Sequence, residues 1–375
     1  MLLIRNGYIK TMTGKDIKNG CILVDDNGKI AKVGKKIEAP EGAEIVDAGG
    51  RLVTPGCIDA HTHIGIIGCN ENVDPLTPQL RAIDNIDPMD IDFPAALKGG
   101  VTAACTGPGS ANVVGGTFAA IKLYGKNIDK MIIKQPIAMK CAFGENPKKV
   151  YGGKSKSPAT RMGTAAMMRE FLFKAKKYAE EDAQGKEHKF DMKLEAMIPV
   201  MRKEMPLKAH MHQADDILTA IRIAKEFDLD MTLDHCTGGA SIAEAVAESG
   251  FPALVGPLLG NKSKVELMGK SFRTPGVLNK AGVKICIVTD CNVIPIEVLP
   301  LCAGLSVSEG LDYEEGWKAI TINPAEIVGI ADRVGSLEKG KDADIVIWTA
   351  DPMTSLMARS YKTFVDGKCV YSSEG

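Results

Sequence analysis

Histidine is scarce in this 375-residue sequence, with six in all, and five of them sit where short apolar runs end. His61 and His63 form an H-x-H pair directly after Cys57-Ile-Asp-Ala60. His210 and His212 form a second pair after Leu207-Lys-Ala209. His235 closes Met231-Thr-Leu-Asp234, and Asp290 follows Lys284-Ile-Cys-Ile-Val-Thr289. Only His188 lies elsewhere, in the charged stretch 182–190, which reads as solvated surface. On a strand, residues i and i+2 face the same side, so each pair can point together. Imidazole nitrogens plus a carboxylate suit Zn²⁺ or a similar divalent ion, and a coordination position left for water makes such a site catalytic. A lone H-x-H is commonplace on surfaces and in cores. Repetition at successive strand ends instead points to a metal held by His61, His63, His210, His235 and Asp290. His212 lies one step further out than His210 and is expected beside the metal or against substrate rather than as a ligand.

Those residues need elements that bring them together. The middle of the chain alternates short apolar strands with helical spacing, a pattern of βα units and a parallel sheet. Strand candidates begin at Cys57, Val101, Phe118, Ile137, Leu207, Met231, Ala253 and Lys284. Helical periodicity is clear over 167–178, 217–227 and 319–330, with Asp215 and Asp216 at the positive end of the second. Eight strands over 55–335 match a (β/α)₈ barrel, in which the carboxyl ends of the strands converge on one mouth. The third strand is the weak point, because the Gly107–Gly116 connection before it is too short for a crossover helix. Residues 1–54 and 336–375 read instead as hairpins, with Asp26-Asn-Gly28 and Asp366-Gly367 as turns. Neither end can bury a core alone, so they are expected to build one small sheet domain jointly.

Composition narrows the function class. Apolar residues make up 45% and charged residues 25%, with a formal net charge of −1. That excludes a disordered chain, and it disfavours nucleic acid or a membrane surface as partner, since both favour a basic excess. A small-molecule substrate is expected; assembly into a homo-oligomer stays open. The ten cysteines are scattered with no C-x-x-C pair, and residues 1–7 hold no sustained apolar run, so a reduced cytoplasmic protein is expected.

Two segments carry a family resemblance. Leu52-Val-Thr-Pro-Gly-Cys-Ile-Asp-Ala-His-Thr-His63 resembles the opening signature of the amidohydrolase superfamily. Gly335-Ser-Leu-Glu-Lys-Gly-Lys-Asp-Ala-Asp-Ile-Val-Ile347 resembles its closing signature, with Asn323-Pro-Ala325 just before. Lys208-Ala-His210, Leu233-Asp-His235 and Thr289-Asp290 are similar to the imidazolonepropionase-related and prolidase-like group. The resemblance covers essentially the whole chain. It implies a metal-bearing (β/α)₈ barrel of α/β class with a small β-sandwich made from both termini. Cys236 stands where glycine is common among relatives.

The resemblance also implies one or two metal ions, bridged in some members by a carboxylated lysine at the end of the fourth strand, a position matched by Lys140. A buried lysine loses its proton readily and can then react with CO₂; pairing with a carboxylate or with substrate is the alternative. The constellation predicts hydrolysis of a C–N bond, in an amide or cyclic amide, by metal-activated water. Asp290 serves as general base and then acid, and His235 or His212 stabilises the oxyanion. Lys148, Lys149, Tyr151 and Arg161 follow the fourth strand and are candidates for binding a substrate carboxylate, although an ordinary polar loop would read the same. Rival activities are a dipeptidase or carboxypeptidase and a heterocycle deaminase. The absence of glutamate from Met211-His-Gln-Ala-Asp-Asp216 disfavours deamination. Retention of the whole ligand set disfavours a non-catalytic relative.

Overall fold

The computed structural model describes residues 1–187 and 189–374, so His188 lies outside the described residues. In chain order, β1 (Leu2–Ile9), β2 (Ile17–Val24), β3 (Ile30–Gly34), β4 (Glu44–Asp47) and β5 (Leu52–Pro55) open the fold. They are followed by β6 (Cys57–Thr62), β7 (Val101–Thr106), β8 (Val114–Lys122), β9 (Ile132–Ala142), β10 (Leu207–Met211), β11 (Met231–His235), β12 (Ala253–Val255) and β13 (Ile285–Ile287). The chain ends in β14 (Ile345–Trp348), β15 (Ser360–Val365) and β16 (Lys368–Ser372). Each of the eight strand candidates of the middle region is a strand of the barrel sheet.

The two chain ends make one sheet, ordered β16-β15-β14-β5-β1-β2-β3, with β4 also on β1. β1 changes partner along its length, pairing with β4 through residues 2–5 and with β5 through Tyr8 and Ile9. Period-two alternation gives β14 two buried faces. Ile345 and Ile347 join Ile4, Ile9, Ile22 and Val53 in the core of this sheet, whereas Val346 and Trp348 pack into the barrel core. The turn before β3 needs glycine: Gly28 has φ +74°, and a Cβ there would lie 2.2 Å from the Asp366 carbonyl oxygen.

The second sheet runs β6 to β13 in sequence order. Its ends nearly close, because the Asp290 amide donates to the His61 carbonyl at 3.2 Å and the Thr289 amide to Asp59 Oδ2 at 2.9 Å. Most neighbours are parallel, but β8 is antiparallel to both β7 and β9. The Gly107–Gly116 connection accounts for this, since a short link can only return the chain in the opposite direction. Reversal carries Phe118 into the barrel, so close to Gly107 that a Cβ at Gly107 would meet its ring at 2.1 Å. Two expected helices are present, at Arg161–Ala183 and Ala214–Phe227. The third, expected over 319–330, is helical only at Ile322–Ile327; Thr321 leaves helical geometry, Asn323 donates to the Ile285 carbonyl of β13 at 2.9 Å, and a separate short helix, Tyr313–Lys318, precedes it. No described helix is long and apolar enough to cross a membrane.

A buried charge cluster locks the two sheets together. Lys122, at the end of β8, has its amine 2.7 Å from Asp344, 3.0 Å from Asp342 and 3.2 Å from Asp366. Burial pushes the Asp344 carboxyl up, and Lys122 opposes that shift. Lys122 itself is held above the ordinary lysine value by its carboxylates, which overcome burial. Its contribution to stability is therefore complete at neutral pH and is lost only as pH rises through that raised value. Lys122→Met strands Asp344 as a buried anion and is expected to lower stability by about 3–5 kcal/mol at pH 7. The deficit should shrink on acidification as the carboxyl takes up a proton, read as denaturant midpoints at pH 7 and pH 5. A pH-independent loss would assign the effect to packing alone.

Candidate active site

The barrel lining is laid down two residues at a time. Asp59 and His61 share a face of β6, with His63 just past its end; Lys208 and His210 share a face of β10, with His212 just past its end; on β11, Thr232 and Asp234 do so. Asp59 accepts from the His61 amide at 3.0 Å, the Thr289 amide at 2.9 Å and the Thr289 hydroxyl at 2.5 Å. Burial pushes its carboxyl up to about 7 despite those bonds. His61 Nδ1 meets Asp234 Oδ2 at 2.5 Å, and the same oxygen is 3.0 Å from Lys208 Nζ. The Thr232 hydroxyl donates to the other Asp234 oxygen at 2.7 Å. This carboxylate fixes the ring of His61 and presents its Nε2 to the mouth.

The donors then gather in two trios, His61, His63 and Asp290, and His210, His212 and His235, each with its ligand atoms within 4.8 Å of one another. Asp290 Oδ1 lies 3.3 Å from His63 Nε2 and 3.5 Å from His61 Nε2, and its Oδ2 is 4.0 Å from His235 Nδ1. The His61 and His235 ring centroids are 4.8 Å apart, and those of His210 and His235 4.4 Å, so the trios adjoin. The nitrogens turned away from the mouth are held: His63 Nδ1 by the Gly107 carbonyl at 2.8 Å, His235 Nδ1 by the Gly256 carbonyl at 2.8 Å, and His212 Nδ1 by the Thr237 hydroxyl at 2.8 Å. Burial drives His61, His210 and His235 well below the ordinary imidazole value. It takes His212 down to about 3, helped by Lys264, Lys270 and Lys140. Neutral imidazole is the form that ligates a cation.

A divalent ion fits this donor set. His235 Nε2 is buried without a hydrogen-bond partner among the described residues, and a desolvated lone pair left bare costs about 1–3 kcal/mol. His235 and Asp290 also sit at φ +71° and +55°, a strained backbone of the kind that persists at functional sites. Cys236, at φ +45°, shares that strain, which explains the usefulness of glycine there. Its thiol is buried in the core, pushed up to about 12 by burial, and a Cβ at Gly239 would touch it.

Lys140 is fully buried on β9, its amine 3.3 Å from His61 Nε2, and burial lowers it to about 8. His212, expected outside the ligand group, stands within the second trio. The basic residues after the fourth strand candidate are placed differently from one another. The Tyr151 hydroxyl donates toward the Glu71 and Asp74 carbonyls, both at 2.9 Å, and so fastens the loop after β6. Arg161 pairs with Asp216 at 3.0 Å. No hydrogen bond or ion pair joins Lys148 or Tyr151 to the histidines among the described residues. Asn146 reaches the site instead, 3.3 Å from His210 Nε2, with Lys264 donating to its Oδ1 at 2.9 Å. Asn146, Lys264 and Glu266 lie in connections whose approach no sequence periodicity marks. Asp59, Lys208 and Asp234 carried a legible signal, their same-face or strand-end spacing.

Comparison with known proteins identifies the family. A crystal structure of an amidohydrolase from Thermotoga maritima MSB8 is 41% identical, with a TM-score of 0.94 over 99% of this chain and 100% of that one. Imidazolonepropionase from Bacillus cereus strain B4264 is 23% identical over 93% of this chain and 90% of its own length. Amidohydrolase tasK of Hapsidospora irregularis is 29% identical over 93% of this chain, which spans only 39% of that larger protein. A prolidase complexed with N-methylphosphonate-L-proline shares the fold at a TM-score of 0.65 and 17% identity. Residues 52–370 match the amidohydrolase family, so the chain belongs to that family and is a hydrolase acting on carbon–nitrogen bonds.

Proposed function

We propose that this hydrolase is metal-dependent and cleaves the C–N bond of an amide or cyclic amide in a small molecule. The supporting observation is the pair of adjoining donor trios, one of which contains the bare, buried His235 Nε2. His61, His63, His210, His235 and Asp290 would hold one or two divalent ions, Zn²⁺ being the best match to imidazole and carboxylate donors. Lys140 would join them if carboxylated, a reaction its burial and depressed amine favour. A bound divalent ion lowers the pKa of coordinated water to about 7 and polarises a carbonyl oxygen.

The chain's own groups do the rest. Asp290, with Oδ1 facing His61 and His63, takes the proton of the attacking water and returns it to the leaving nitrogen. Neutral His212, held through Nδ1 by Thr237, presents Nε2 toward the site, where it can orient the substrate carbonyl. Asp234 and Lys208 hold His61 immobile during this exchange. The ten free thiols, mostly buried, support a reducing, cytoplasmic setting.

The test is elemental analysis of the purified protein combined with turnover of an amide and cyclic-amide panel, before and after chelation. One or two equivalents of divalent ion, and activity that chelator removes and metal restores, are expected. Full activity in chelator-treated, metal-free protein would overturn the metal-dependent reading. Release of ammonia from heterocyclic amines without amide hydrolysis would assign the site to deamination.

A further inference from the structure

Asn146 reaches the histidines from the connection after β9, and no step of the proposed hydrolysis uses it. It lies half-buried at the start of the short helix Glu145–Gly152, with both ends of its amide held. Lys264 Nζ lies 2.9 Å from Oδ1. On the other side, Nδ2 donates to the Ser110 hydroxyl at 2.8 Å and lies 3.3 Å from His210 Nε2.

The oxygen and nitrogen of an amide are told apart by their partners, and here Lys264 decides. An ammonium can only donate, so the atom it meets is the oxygen. Nδ2 must therefore face Ser110 and His210. Because Nδ2 is a donor, His210 Nε2 must be the bare nitrogen of its ring, which is the form that ligates a cation. Lys264 is held in turn by the buried Glu266, whose Oε1 is 2.8 Å from the amine and whose Oε2 accepts from the Glu145 amide at 3.1 Å. Lys264 and Glu266 belong to the connection after β12. Two separate connections thus fix the direction of one amide.

The two hydrogens on Nδ2 differ. Ser110 takes one. The other points at the His210 lone pair, and once His210 serves as a ligand that hydrogen is left without a protein partner beside the reaction centre. An N–H preset in this way suits an oxygen that gains negative charge as a carbonyl is attacked.

We propose that Asn146 is a catalytic residue that donates a hydrogen bond to the substrate oxygen, and that Lys264 is the positioning residue that keeps its amide turned that way. This rests on the hydrolase reading above and gives it a donor besides His212.

The experiment uses the metal-loaded full chain and the amide and cyclic-amide panel, following kcat, KM and, by chelator competition, affinity for the ion. Asn146→Ala is expected to lower kcat about 10²–10³-fold, the usual cost of one oxyanion donor, with KM and affinity for the ion nearly unchanged. Lys264→Met lets the amide turn over and should cost about 10-fold in kcat, the worth of one hydrogen bond. Lys264→Arg, which again offers only donors, should recover part of that loss. If Lys264→Met does not fold, Lys264→Gln takes its place, since its own amide accepts either face of Asn146. Near-normal kcat in Asn146→Ala overturns the inference. So does a loss of turnover matched by a loss of affinity for the ion, which would make Asn146 a support for His210 alone. Unchanged kcat in the Lys264 variants overturns the positioning role. Amide hydrolysis indifferent to both residues sinks this inference and leaves the hydrolase reading intact, whereas a wild type that hydrolyses no amide sinks both.

Discussion

Asp290→Asn is expected to lower kcat about 10²–10⁴-fold, the usual contribution of a positioned general acid–base, while the protein folds and still takes up divalent ion. The backbone at this position accommodates the exchange. Asp290 sits at φ +55°, a conformation asparagine accepts more readily than most residues, and the amide keeps the shape and one oxygen of the carboxylate. The four histidines assigned as ligands are untouched. What disappears is the group able to accept the proton of the attacking water and pass it to the leaving nitrogen. Turnover should therefore collapse while KM moves little. An asparagine variant with near-normal kcat would remove Asp290 from the proton path.

The second large effect is expected one layer beneath. Asp234 is fully buried, 2.5 Å from His61 Nδ1 and 3.0 Å from Lys208 Nζ. Asp234→Ala frees the His61 ring to rotate and leaves Lys208 as a buried cation with no counter-charge. Stability should fall by about 3–5 kcal/mol, and metal affinity by about 10–100-fold. Two measurements separate the roles. Denaturant midpoints report the buried charge, and chelator competition reports the ligand geometry. Adding Lys208→Met should recover part of the lost stability, because it removes the stranded cation, without recovering affinity for the ion. Such non-additivity is what neighbours in one ion pair show. A double variant as unstable as Asp234→Ala would place the loss in packing rather than charge.

The sequence made the histidines legible because a strand repeats every two residues and a barrel turns every strand end toward one mouth. Identifying strand ends was then equivalent to identifying neighbours. The same two-residue spacing reaches Asp59 and Lys208, which the sequence did not single out, because a buried aspartate or lysine has no distinct meaning until its partner on another strand is known. Asp234 shows this, since its bond to His61 spans the barrel. The direction of β8 was signalled by its short leading loop, but the placement of Phe118 inside the barrel needed three dimensions. The basic segment after β9 was the least legible part. Tyr151 and Arg161 look like ligand-binding residues by type; main-chain carbonyls and Asp216 claim them instead. Loop side chains are positioned by such long-range partners, which no periodicity encodes.

The seat of β14 between β5 and β15 has a consequence for how the protein is made. As the ribosome releases the chain, the early hairpins emerge with β5 showing an unsatisfied hydrogen-bonding rim, and its mate follows about 290 residues later. At translation speeds of about 5–20 residues per second, that rim stays open for roughly 15–60 seconds. During this interval it can recruit strands from other nascent chains, so the newborn protein should depend on chaperones far more than the finished one.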